Sequence, residues 1–140
     1  MINFAVEKVD EIKDGKLSFY KLVINGECLY DEFCKEVEKS AESKRSLNTI
    51  RAYMNFIADC DSRLPGAKFN SIKDKGKVVG YEFKKDALRV YVMKQNPDVY
   101  VVLGGYKKIQ ERNITTFVQI AKEFREYIKN EQNKVTLLQK

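Results

Sequence analysis

Hydrophobic and polar positions change their period along this chain, and the changes outline its elements. Residues 17–24 are dense in β-branched and aromatic side chains and stop at Asn25-Gly26, a strong short hairpin signal. Glu27-Cys28-Leu29-Tyr30 reads as the returning strand. Residues 2–9 form another strand candidate, separated by the turn Lys13-Asp14-Gly15-Lys16. From Asp31, expected as an N-cap, the period lengthens: Phe33, Val37 and Ala41, with Cys34 beside them, make one helical stripe. Lys35, Glu36, Glu38, Lys39 and Glu42 occupy the opposite side. A second helix is expected from about Arg45, burying Leu47, Ile50, Met54, Ile57 and Ala58 and ending near Asp61-Ser62, ahead of Pro65-Gly66. The two helices make a helical hairpin.

Beyond residue 78 the pattern returns to a period of two. Residues 78–83 read as a strand and Lys84-Lys85-Asp86-Ala87 as a polar turn. Residues 88–93 alternate, with Leu88, Val90 and Val92 on one side and Arg89, Tyr91 and Met93 on the other. After the turn Asn96-Pro97-Asp98, residues 99–103 are almost continuously apolar, as in a strand covered on both faces. These three strands form an antiparallel meander ending at Gly104-Gly105, which provides either a bend or close backbone approach to a ligand. A last helix is expected to start between Asn113 and Thr116, with Thr116 and Gln119 as a capping box and Phe117, Ile120, Ala121, Phe124 and Ile128 inward. The fold class is α+β. Residues 1–130 make a single domain, and 131–140 form a tail that is either disordered or docked on it.

Composition fits this picture: 44% hydrophobic and 33% charged residues over 140 positions suit one domain with a real core. No apolar run approaches the ~18 residues of a membrane span, and the first residues lack the features of a secretory signal. The expectation is a cytoplasmic protein without a membrane partner. Three cysteines without paired spacing read as free thiols. With no histidine in the chain, neither a structural zinc site nor a Ser-His or Cys-His couple is expected. No metal or other cofactor is implied.

The net charge of +6 is unevenly distributed. Residues 1–62 carry −3, residues 63–112 carry +7 and residues 113–140 carry +2. A basic excess confined to one segment is the footprint of a polyanion partner. If Leu88 and Val90 face the helices, Arg89 faces the open side of the sheet. In a meander, residue 104 returns near residue 88, which gathers Lys84-Lys85, Arg89 and Lys107-Lys108 at one end. Arginine offers phosphate a bidentate fork and lysine a point charge.

The runs Tyr81-Glu82-Phe83-Lys84, Leu88-Arg89-Val90-Tyr91 and Val102-Leu103-Gly104-Gly105-Tyr106-Lys107-Lys108, followed by a helix, resemble the RelE/HigB/ParE toxin superfamily, closest to its phage-derived HigB-like branch. Asn25-Gly26 with Tyr30-Asp31-Glu32-Phe33 is similar to the strand-then-helix entry of that branch. The likeness spans about residues 17–130. It implies a helical hairpin packed on a twisted antiparallel sheet, with a C-terminal helix. It also implies the toxin of a type II toxin–antitoxin module: an mRNA interferase, a ribosome-dependent endoribonuclease that inhibits translation. Such a toxin would be neutralised by a small helix-turn-helix antitoxin. The alternative on the same fold is a non-catalytic binding protein, either a gyrase poison or a degenerate member that binds antitoxin or RNA.

Carried over by position, Arg89 matches the arginine at the scissile phosphate. Lys84 matches a basic position on the preceding strand, and Lys107 and Lys108 match the basic pair after the last strand. Lys85 and Arg112 join them as phosphate contacts from position alone. Where many members have a tyrosine, an acid or histidines, this chain has Ile109-Gln110-Glu111-Arg112-Asn113, leaving Tyr106 and Tyr127 as substitutes. Arginine cannot serve as base, so Arg89 would stabilise charge. Crowded lysines lower one another's proton affinity, which is how one of them would accept the 2′-hydroxyl proton. Arg89→Ala is expected to abolish growth arrest with the fold intact.

Overall fold

A computed structural model describes residues 2–61, 64–130 and 133–139. Strands β1 (Phe4–Lys8) and β2 (Ser18–Ile24) are followed by helices α1 (Leu29–Val37) and α2 (Ala41–Cys60). Next come β3 (Phe69–Asp74), β4 (Lys77–Lys85), β5 (Leu88–Gln95) and β6 (Asp98–Tyr106). A single 3-10 turn (Lys107–Ile109) leads into α3 (Gln110–Lys129), and β7 (Thr136–Leu138) closes the order. The seven strands make one open sheet in the order β3-β4-β5-β6-β2-β1-β7. It is mixed rather than antiparallel, because β2 runs parallel to β6 and β1 parallel to β7. The return from β2 to β6 passes through both helices and the meander, and that long connection is what a parallel pair needs.

Asn25 and Gly26 take φ of 49° and 84°, the two positive values of a tight hairpin turn. The turn forms, but its return is a single Ile24–Glu27 bridge, because the chain enters α1 at Leu29. The expected strand through Tyr30 is therefore helix. Tyr30, Phe33 and Val37 lie on one buried face at helical spacing, and burying Tyr30 draws the helix start back past Asp31. Asp31 lies within the first turn and accepts a hydrogen bond from Lys21 Nζ at 2.9 Å. Helix α2 begins at Ala41, not near Arg45, since Ser40 caps it through the Ser43 amide. Ala41 is exposed instead of extending the α1 stripe. The expected α2 core positions Leu47, Ile50, Met54, Ile57 and Ala58 are all buried.

The meander forms as β4, β5 and β6, and β3 adds an edge strand that the pattern of residues 69–74 does not announce. Lys75 and Gly76, at φ of 51° and 80°, turn β3 into β4. Alternation along β5 divides two cores. Leu88, Val90 and Val92 pack with α1 and α2, while Tyr91 and Met93 pack with Phe117, Ala121 and Phe124 of α3. Both faces of the sheet are covered, as the continuous apolar run of β6 requires.

Helix α3 starts at Gln110, one 3-10 turn after β6, so Thr116 is an exposed mid-helix residue rather than a cap. Ile128 is exposed rather than inward. Of the tail, residues 133–139 fold back, with Lys134 O accepting from Tyr127 Oη at 2.9 Å and Ala5, Val6 and Glu7 facing Thr136, Leu137 and Leu138 in β7. No helix among the described residues is long and apolar enough to cross a membrane.

Gly80 marks the tightest approach of α3 to the sheet. A Cβ there would lie 2.2 Å from Phe117 Cζ and 2.5 Å from the Val92 carbonyl oxygen. The second contact is with backbone and cannot swing away. Gly80→Ala is expected to destabilise the fold by about 1–3 kcal/mol, read as a lower urea midpoint at unchanged slope.

Candidate phosphate-binding end of the sheet

Three pairings assemble the basic end. Lys84 faces Arg89 and Lys85 faces Leu88 across the β4–β5 hairpin, while Leu88 faces Tyr106 and Arg89 faces Gly105 across β5–β6. The Lys107 amide then donates to the Ala87 carbonyl at 2.7 Å, which ties the chain leaving β6 to the β4–β5 turn. That turn is held from the other side, where Ser46 Oγ donates to Asp86 Oδ2 at 2.6 Å. The two lysine pairs and Arg89 therefore share one end of the sheet.

They do not share one environment. Lys107, Lys108 and Arg112 are exposed around the entry to α3, and Lys84 and Lys85 are half-buried. Lys84 stands on the face that carries Arg89, and Lys85 on the opposite one. Tyr106 also lies on the opposite face, its ring edge-on to Phe33 at 5.7 Å. Burial, with the nearby Glu36 charge, raises the Tyr106 pKa, so it is a neutral phenol near pH 7. Tyr127 lies near the far end of α3, against Phe4.

Arg89 departs most from expectation. The side of the sheet it occupies is not open, because α3 lies across it, and Arg89 is only 7% exposed. Its Nη1 donates to the carbonyls of Asp86 (2.9 Å) and Leu88 (2.8 Å). Its Nε has no hydrogen-bond partner. The guanidinium is drawn down onto its own hairpin and is not presented as a free fork.

Beneath the start of α3, Arg89 belongs to a buried polar layer. Glu82, 2% exposed, accepts from Gln110 Nε2 at 2.7 Å and from Asn70 Nδ2 at 3.4 Å. Tyr91, opposite Glu82 in the β4–β5 register, is fully buried. Burial and then the Glu82 charge raise its pKa, while Arg89 acts the other way, so it stays protonated across the neutral range. Asn113 covers the layer from α3. Asn70 Oδ1, Arg89 Nε, Tyr91 Oη and Asn113 Nδ2 are all buried without a hydrogen-bond partner.

Gly104 and Gly105 serve this packing; they are neither a bend nor a ligand approach. A Cβ on Gly104 would meet the Phe33 ring at 2.2 Å, and one on Gly105 would meet Asn113 Nδ2 at 1.9 Å. One glycine admits α1 on one face and the other admits α3 on the opposite face. Glu82, Tyr91 and Asn113 are not among the site residues expected from the sequence. The available signal was phase, because Glu82 and Tyr91 fall on the Arg89 side of their strands.

Chemically, the outer shell of Lys107, Lys108, Arg112 and Lys84 can meet a phosphate from solvent, next to the positive end of the α3 dipole. Arg89 adds its charge from below. Among the described residues no group of three or more His, Cys, Asp or Glu is placed to hold a metal ion. No protein-family model matches the chain, and no curated protein matches it.

Proposed function

We propose that this protein is the toxin of a type II toxin–antitoxin module, a RelE/HigB-like mRNA interferase neutralised by a helix-turn-helix antitoxin. The observation that carries the reading is the convergence of Lys84, Lys85, Lys107 and Lys108 with Arg89 on one sheet end. It is supported by the order of a helical hairpin, an antiparallel meander and a later helix, which the resemblance implies, although β1, β3 and β7 add strands that it does not. In this reading mRNA phosphates meet the exposed lysines first, and Arg89 stabilises the crowded phosphate from beneath α3.

A second reading, a non-catalytic binder on the same fold, is favoured by the burial of Arg89 and by its bonds to backbone carbonyls. Induced expression followed by primer extension separates the two. Growth arrest with ribosome-dependent cuts in mRNA is expected. DNA-damage signalling without cuts would point to a gyrase poison, and neither effect would remove the toxin reading. Arg89→Ala is now expected to destabilise, since it empties a buried site, so Arg89→Met, which fills the space without the charge, is the cleaner variant. It should lose mRNA cleavage while retaining a cooperative thermal transition; cuts at the wild-type level would exclude Arg89 from the chemistry.

A further inference from the structure

At the other end of the same sheet, a cavity of about 180 Å³ lies on the face covered by α1 and α2. One side of its wall is aromatic, with Phe19 from β2, Phe69 from β3, and Tyr81 and Phe83 from β4, and Ile57, Val92 and Val99 add aliphatic surface. Phe69 stacks on Tyr81 with centroids 5.0 Å apart and planes 8° from parallel, and it meets Phe83 at 4.7 Å. These rings pack on one another as one continuous wall. The cavity is partly open to solvent, and polar groups make up about half of its lining. An apolar cavity of about 150 Å³ is enough to admit benzene.

Asp61 and Lys94 also line the cavity. Asp61 caps α2 in the left-handed conformation, at φ 51°, and accepts from Lys94 Nζ at 2.5 Å. Both side chains are about one-third exposed, at 36% and 30%. An ion pair this exposed contributes little stability, so separating it costs little. A ligand with one positive and one negative group can replace it with two charge-assisted bonds.

We infer that this cavity is a binding site for a free aromatic α-amino acid. The ring packs in the cavity against Phe19, Phe69 and Phe83, the carboxylate pairs with Lys94 and the ammonium pairs with Asp61. The site is independent of the toxin reading. Lys94 lies roughly 17 Å along β5 from Arg89, and the cavity opens on the opposite face of the sheet.

The chain contains no tryptophan, so the emission of added L-tryptophan reports the ligand alone. Titrating the intact protein into L-tryptophan should shift that emission to the blue and saturate. Asp61→Asn and Lys94→Met should each weaken the affinity about tenfold or more, the size of one charge-assisted bond. Indole, which has the ring without the charged head, should bind more weakly than tryptophan. Val99→Phe, which fills the cavity, should abolish the shift, with far-UV circular dichroism confirming the fold. If that variant does not fold, the two charge variants decide the question. Unchanged emission with the wild-type protein would overturn the assignment. So would equal binding of indole and tryptophan, or wild-type affinity in the charge variants or in a folded Val99→Phe.

Discussion

Phe117→Ala is expected to lower the stability of the whole domain by about 3–5 kcal/mol, the largest effect foreseen for a single truncation here. Phe117 is fully buried, its ring lies 5.8 Å from that of Tyr91, and Gly80 is bare beneath it. Small domains hold only about 5–15 kcal/mol in total, so the variant should unfold near physiological temperature. Urea unfolding followed by circular dichroism checks this: the midpoint should fall sharply while the slope stays constant. The result also bears on the basic end of the sheet. If α3 were a detachable cover over Arg89, truncating its central anchor would leave the remaining sheet nearly as stable as before. A loss of several kcal/mol instead makes α3 one cooperative unit with the meander, with Arg89 held beneath it.

On the proposed function, reversing both exposed lysines, Lys107→Glu with Lys108→Glu, should strongly weaken binding to single-stranded RNA at physiological salt. Each phosphate contact on a single strand contributes about 0.7 to the slope of log affinity against log salt, so losing two should flatten it by about 1.4. Fluorescence anisotropy with a labelled oligoribonucleotide at several salt concentrations measures both quantities. Stability should not fall with affinity. Both side chains are exposed, and acidic groups beside the start of α3 suit the helix dipole. A variant that keeps its melting temperature and loses RNA therefore reports on recognition, not folding. Unchanged affinity and slope would remove Lys107 and Lys108 from the proposed RNA contact, and no binding by the wild-type protein would remove the contact itself.

The sequence made the meander legible because β5 alternates so regularly that Leu88, Val90 and Val92 separate from Arg89, Tyr91 and Met93 without further information. The α2 stripe was equally clear, for Leu47, Ile50, Met54 and Ile57 repeat at helical spacing. Strand β3 was not, since Phe69-Asn70-Ser71-Ile72 carries few strand formers and is held by pairing with β4. The start of α1 was misplaced because Asp31 is a good cap in isolation, whereas burial of Tyr30 outweighs a cap worth about 1 kcal/mol.

By itself the sequence determined the α+β class, the division of charge and the gathering of two lysine pairs with Arg89 at one sheet end. Those follow from local periodicity and from the geometry of a hairpin, which need no distant partner. Only the tertiary structure decided that both faces of the sheet are covered, that β2 and β6 run parallel, and that Arg89 lies beneath α3 beside Glu82 and Tyr91. Each of these depends on contacts between segments far apart in the chain. Strand phase shows which side a residue takes, but not what lies on that side.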